Sequence, residues 1–176
     1  MQIKINSAVI ECLQGNIVNQ PGLEAVVNAA NARLQPGGGV AGALHREAGP
    51  QLSEAGRKYA PIKPGAAVIT PAFNLPNDYV IHCLGPVYGR DKPEDKLLAN
   101  CYSRALKLAE ENNISSIGFP AISTGAFGYP LEEAAEVALE TVISEISALK
   151  TVELIRFVLY DSRALKIYEK ILPRKT

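Results

Sequence analysis

Residues 24–49 read EAVVNAANARLQPGGGVAGALHREAG, and the succession of residue types in that stretch decides the fold. Ala25-Val26-Val27 is a short apolar run that fits a buried strand. Asn28 and Asn31 follow, bracketing two alanines, and then Pro36, Gly37, Gly38 and Gly39 break the pattern. Residues 40–48 return to helical spacing, with Val40, Ala43, Leu44 and Ala48 on roughly one face. A strand, a glycine-rich turn and a helix start together aim free backbone N–H groups, and the positive end of a helix, at an anion. The stretch predicts a phosphate-binding turn.

Outward from it, the chain alternates strand and helix patterns. Residues 3–13 supply one or two strands through Ile3, Ile5, Val9, Ile10 and Leu13. Gln14-Gly15-Asn16-Ile17 turns the chain, and Pro21-Gly22 punctuates it again. A second short helix fits residues 50–60, and strands fit 66–70 and 79–84. Residues 93–112 form the clearest helix so far, with Leu97, Leu98, Cys101, Ala105, Leu108 and Ala109 in one stripe and Pro93 and two acids in the first turn. Residues 116–122 read as a strand, 131–149 as a long amphipathic helix, 154–160 as a strand and 164–172 as a closing helix capped by Asp161 or Ser162. The alternation predicts an α/β layered sandwich with a largely parallel sheet, whose ligands bind beyond the carboxyl ends of the strands. Four such ends carry unusual residues: 28–42, Gly85-Pro86, 123–129 and Tyr160-Asp161.

Composition narrows the classes. A chain of 176 residues is expected to form one domain, spanning residues 1–176, that buries about 70% of its unfolded surface. Eighteen Lys and Arg balance eighteen Asp and Glu, so no basic stripe suited to a DNA duplex is visible. The three cysteines, Cys12, Cys83 and Cys101, are scattered and lack a paired spacing, which argues against a disulfide framework or zinc site and fits a reducing cytoplasm. No secretion signal is read at Met1, and no apolar run approaches the roughly 20 residues that span a bilayer.

Gly37-x-Gly39-x-x-Gly42 matches a dinucleotide fingerprint letter for letter. The strand ends near Val27, however, leaving a long loop where that fingerprint needs a tight turn, and no acid follows at the required distance. A plainer reading, glycines serving only a turn and helix packing, stands beside it. The second glycine-bearing loop shifts the balance. FPAISTGAFGY, residues 119–129, is again strand, small-residue loop and helix entry, with no charged residue in it. Neither loop has the Gly-Lys-Ser/Thr of a P-loop. Two neutral backbone cradles suit a diphosphate held by N–H groups without a metal. Phe127 and Tyr129 stand where a sugar or base could pack, or in the core.

VVNAAN at 26–31, GGGVAGALH at 37–45, STGAFGYP at 123–130 and Tyr160 closing the last strand together resemble the macro domain family, in its stand-alone microbial type. The resemblance runs from Gly15-Asn16-Ile17 to the final helix, with the motifs in the family's order. It implies a three-layer α/β/α sandwich around a mixed sheet, and ADP-ribose or a molecule capped by it as ligand. By the same resemblance Asn16 takes the place of the usual aspartate that accepts the adenine amine, Ile17 lines the adenine pocket and Tyr160 stacks on the base, worth about 1–3 kcal/mol. An amide oxygen accepts without a carboxylate's charge, so adenine recognition is expected to be weaker or less selective. Asn31 positions the distal ribose and Phe127 walls it, while Asn28 is expected to tie its loop together through its own backbone. Gly38, Gly39, Val40 and Ala41, with Ser123, Thr124, Gly125, Ala126 and Phe127 opposite, line the diphosphate.

Ala41 is the departure. The hydrolytic MacroD-type branch has aspartate there, beside the scissile bond, and a methyl cannot act as general base, a loss of typically 10²–10⁴-fold. The expected activity is therefore metal-independent, water-mediated and substrate-assisted hydrolysis of ADP-ribose esters, either mono-ADP-ribosyl-Glu/Asp on proteins or O-acetyl-ADP-ribose. The alternative is a non-catalytic reader or scavenger of ADP-ribose. No cofactor or metal is expected; the partners are ADP-ribose or an ADP-ribosylated protein, not a DNA duplex or a membrane, and the chain is expected to be a cytoplasmic monomer. His45 is assigned a capping or surface role. His82 and Cys83, adjacent on a strand, point to opposite faces and form no dyad. Arg46, Glu47, Lys63 and the charged run at 90–96 read as solvated surface.

Overall fold

A computed structural model describes residues 1–176. Seven strands and five helices follow one another as β1 (Gln2–Ile5), β2 (Ala8–Gln14), β3 (Ala25–Ala29), α1 (Gly39–Ala48), α2 (Gln51–Gly56), β4 (Ala67–Pro71), β5 (Tyr79–Cys83), α3 (Glu94–Glu111), β6 (Ser116–Phe119), α4 (Leu131–Glu145), β7 (Leu154–Leu159) and α5 (Ser162–Lys175). The sheet order is β1-β2-β7-β6-β3-β5-β4. The five inner strands are parallel, and β1 and β4 close the two edges antiparallel. The expected mixed, largely parallel sheet is what forms.

The strand period of two sorts side chains between two cores. Ala25 and Val27 face the larger one, where Ile81, Phe119 and Phe157 meet Leu98 and Leu106 of α3, Leu139 of α4 and Tyr168 of α5. Val26, Val80 and Val158 face the other way, onto Leu44 and Ala48 of α1 and Leu52 of α2. This is the third layer of the α/β/α sandwich. No helix is long and apolar enough to cross a membrane.

Several element ends differ from the sequence reading, among them the helix expected over 50–60, which stops at Gly56. β6 stops at Phe119, because Pro120 has no N–H to continue a ladder. The helix expected over 131–149 ends at Glu145 and tightens into a 3₁₀ turn, Ile146–Ala148. The Glu110 carboxylate then accepts from the N–H groups of Lys150, Thr151 and Val152 and turns the chain toward β7. α5 begins at Ser162 with the Asp161 side chain accepting from the Ala164 N–H at 2.8 Å, so Asp161 is the cap, and the helix carries Pro173 in its last turn.

Under α1 lies a buried polar line that crosses the sheet. Asn28 of β3 and His82 of β5 are in register. Asn28 Nδ2 donates to His82 Nδ1 at 3.1 Å, which places the imidazole proton on Nε2, 2.9 Å from Thr70 Oγ1; the Thr70 hydroxyl donates on to the Pro71 carbonyl. Asn28 is thus a cross-strand donor and does not tie its own loop. His45 corrects a second expectation. It is 6% exposed on the inner face of α1, with both ring nitrogens unpartnered, and neither caps a helix nor faces solvent.

Burial pushes the His82 pKa down to about 3, with the neighbouring His45 adding to the effect; burial also lowers that of His45. An unfolded chain takes up a proton on His82 near pH 6.5 and the folded chain does not until about 3, so stability falls as pH drops through that window, by about 1.4 kcal/mol per unit. Urea midpoints for wild type and His82→Gln at pH 7 and pH 5 measure this. Wild type is expected to lose about 2 kcal/mol more than the variant over that interval.

Candidate functional site

The carboxyl ends of β3, β5 and β6 converge on one cavity of about 270 Å³. One wall is the loop from Asn31 to α1, through Gly37, Gly38, Gly39, Val40 and Ala41. The facing wall is the loop after β6, through Ser123, Gly125, Ala126 and Phe127. Ala29, Ala30, Ala121 and Ile122 fill the ends, and Gly85 enters from the end of β5. None of the lining residues is charged.

Both walls present donors without acceptors. α1 starts at Gly39 with Gly38 as an N-cap lacking a side chain, so nothing covers its first turn. The N–H groups of Gly39, Val40 and Ala41 find no acceptor in the protein, and neither do those of Gly125, Ala126 and Phe127. Added Cβ atoms explain which glycines serve packing and which serve clearance. At Gly42 a Cβ would meet the Gly37 carbonyl oxygen at 2.2 Å, so the loop folds over α1 only because that position is bare. At Gly38, Gly39 and Gly125 a Cβ would meet nothing within 4 Å. Packing does not require those three to be small: Gly39, at φ 57°, holds a left-handed backbone that favours glycine, while Gly38 and Gly125 leave open space along the cavity.

Asn31 is fixed before any ligand arrives. Its Nδ2 donates to the Gln35 carbonyl at 2.7 Å, and its Oδ1 accepts from the Gln35 N–H at 3.1 Å. The loop-tying role expected of Asn28 is therefore performed by Asn31. Its amide retains one N–H and one lone pair for the cavity. Opposite, Ser123 holds φ at 67°, a left-handed conformation costing about 1–2 kcal/mol for a residue with a side chain. Its hydroxyl is buried and unpartnered. Such strain is stored where the surrounding structure enforces it.

Thr124 differs from expectation. Its N–H and its hydroxyl both donate to the Ala121 carbonyl, so it closes the turn and stays out of the cavity. Ile17 is 5% exposed and packs in the α1-side core, and Tyr129 is likewise buried. Phe127 lines the cavity and packs its other side near Leu34 and Leu84. Asn16 and Tyr160 lie outside the cavity, side by side past the paired ends of β2 and β7, where the Gly15 N–H donates to the Leu159 carbonyl. Tyr160 is 84% exposed, a flat aromatic surface against water. The Asn16 side chain accepts from the Val18 N–H. Gly85 is the residue whose role sequence reasoning missed, although Gly85-Pro86 had marked a strand end.

A family model described as Macro domain matches residues 27–138. The chain is 44% identical over 171 residues to the O-acetyl-ADP-ribose deacetylase of Salmonella typhimurium, an alignment covering 94% of this chain and 95% of that protein. It superposes on the Oceanobacillus iheyensis macrodomain solved with ADP at a TM-score of 0.94, with 39% identity over 99% of this chain and 95% of that one. The Trypanosoma brucei macrodomain in complex with ADP-ribose matches at a TM-score of 0.86 and 36% identity, covering 93% and 68% of the two chains.

A Cβ on Gly85 would fall 2.1 Å from Ser123 Oγ and 2.6 Å from Ile122 Cγ2. Gly85→Ala is expected to cost about 1–3 kcal/mol by overpacking, whereas Gly125→Ala, in open space, leaves the thermal midpoint nearly unchanged. Thermal melts of the two variants test the distinction; equal losses would contradict it.

Proposed function

The chain belongs to the macro domain family, and on that premise we propose that it binds ADP-ribose in the cavity between α1 and the loop after β6 and slowly hydrolyses ADP-ribose esters. The observation carrying this reading is the uncharged cavity with two facing rows of free N–H groups and open space beside Gly38 and Gly125. A diphosphate fits that chemistry: its oxygens accept from Gly39, Val40 and Ala41 on one side and Gly125, Ala126 and Phe127 on the other. About 270 Å³ is at the low end for ligand sites, room for the diphosphate and one sugar. Adenine then lies outside, against the exposed ring of Tyr160, with Asn16 at its edge. The distal ribose meets the spare N–H and lone pair of Asn31 and the face of Phe127.

No side chain lining the cavity is an acid or base, so water activation falls to the substrate. A diphosphate oxygen positions the water, Asn31 holds the ribose, and the first turn of α1 stabilises charge developing on the attacked ester. Ala41 supports a second reading, a reader that binds and does not turn over.

Single-turnover release of label from ADP-ribosylated glutamate, with protein in excess, separates the two. Slow release by wild type and at least tenfold faster release by Ala41→Asp support the hydrolase; binding without release by wild type supports the reader. Tyr160→Ala is expected to weaken ADP-ribose binding at least several-fold by calorimetry, consistent with about 1–3 kcal/mol for a stacked base. An unchanged affinity would remove Tyr160 from the site.

A further inference from the structure

A second recess, about 400 Å³, lies across the Asn31–Gln35 loop from the cavity and is lined by Arg33, Gln35, Arg57, Ala60 and Pro61. Backbone contacts bring its two exposed arginines to one rim. Gly56, the last residue of α2, sits so close to Leu34 that a Cβ would lie 2.9 Å from the Leu34 Cβ. That approach sets Arg57 beside Arg33, each next in sequence to one of the touching residues. The Gln35 side chain donates to the Ser53 carbonyl of α2 at 3.2 Å, and the Ile62 N–H donates to the Ala32 carbonyl at 2.9 Å. Helix, loop and the 60–62 segment thus hold the recess open.

Its charge is uncompensated. The eight ion pairs of the molecule include neither Arg33 nor Arg57, nor the exposed Lys58 and Lys63 nearby. Between residues 31 and 63 stand Arg33, Arg46, Arg57, Lys58 and Lys63 against only Glu47 and Glu54, in a chain whose total charge is zero. Glu54, one turn before Arg57 on α2, pairs with neither arginine. Two free guanidinium forks suit carboxylates, which they bind through paired N–H donors.

The sheet order fixes which end of the cavity this recess serves. Tyr160 follows β7, two strands from β3 on the β6 side. Arg33 follows β3 and lies on the other side, where Leu34 packs with Ile62 and with Leu84 past β5. A nucleotide whose base rests on Tyr160 therefore points its far ribose toward Arg33 and Arg57. Arg33 is two residues from Asn31, at most about 7 Å between Cα atoms.

Resting on the reading of the cavity given above, we infer that the Arg33–Arg57 recess binds carboxylates of an acidic polypeptide whose modified side chain delivers ADP-ribose into the cavity. An extended peptide advances about 3.3–3.6 Å per residue, so acids two to four positions from the modified one reach the recess. O-acetyl-ADP-ribose has no group that would use it. The recess selects protein-borne substrate over the small ester.

Two ten-residue peptides, each bearing one amide-linked, non-hydrolysable ADP-ribosyl group and flanked by glutamates or by glutamines, test this by calorimetry beside free ADP-ribose. Wild type is expected to bind the acidic peptide roughly fivefold tighter than the neutral one, an advantage that shrinks with salt. The double variant Arg33→Gln, Arg57→Gln loses that preference while its affinity for free ADP-ribose stays within about twofold. Arg57→Glu shifts the preference toward a lysine-flanked peptide, a readout that a merely misfolded protein cannot give. Equal wild-type affinities for acidic and neutral peptides overturn the assignment, as does an arginine-dependent preference for a short single-stranded RNA over the acidic peptide. Absence of free ADP-ribose binding would remove the reading of the cavity and this proposal with it, whereas bound ADP-ribose without a peptide preference removes the recess alone.

Discussion

The two hydrogen bonds between the Asn31 amide and the backbone of Gln35 are the constraint on which the functional face depends. Most of the loop between β3 and α1 lies beyond ladder and helix, and the Asn31 side chain supplies Gln35 with a donor and an acceptor at once. At about 0.5–1.5 kcal/mol each, the bonds matter less for global stability than for what they position. They bring the chain round so that the Gly37 carbonyl rests where a Cβ on Gly42 would be, and α1 begins at Gly39 with its free N–H groups directed at the cavity. On the outer side they present Arg33 and Gln35 toward α2. One amide thus shapes a neutral surface on one side of a loop and a cationic one on the other.

How much of this was readable beforehand follows the range of the interactions. Strands and helices announced themselves through local period, and the glycine turns through residue types that only a few backbone conformations need. The layered sandwich and its largely parallel sheet followed from their alternation, while the mixed sheet and the three layers came with the family resemblance. Asn28 and His45 were misjudged because their environments are made by residues distant in sequence. Asn28 meets His82 fifty-four positions away, and His45 is enclosed by a sheet whose strand order the chain does not spell out. Thr124 looked like a donor to ligand because the loop was visible and its internal turn was not. Gly85 carried only the sign of a Gly-Pro at a strand end; its meaning lies in the approach of Ser123 from another loop.

The same distinction applies to the Arg33–Arg57 recess. The sequence reading assigned nothing to Arg33 or Arg57, twenty-four positions apart, and only the contact of Gly56 with Leu34 makes a pair of them. The balanced total charge concealed the local excess. A chain of zero net charge exerts little long-range pull on an anion, so the proposed diphosphate affinity rests on N–H dipoles at contact, and the proposed recognition of a polypeptide on exposed charges.

Ala41 belongs to that division. A carboxylate at the start of α1 would bring a negative charge to a cavity that has none in its lining. It would also occupy the helix end whose positive dipole serves the anion. The methyl group leaves that dipole wholly to the ligand and leaves the reaction without a side-chain base. On the proposed reading, alanine there leaves the diphosphate oxygens as the groups that position the attacking water.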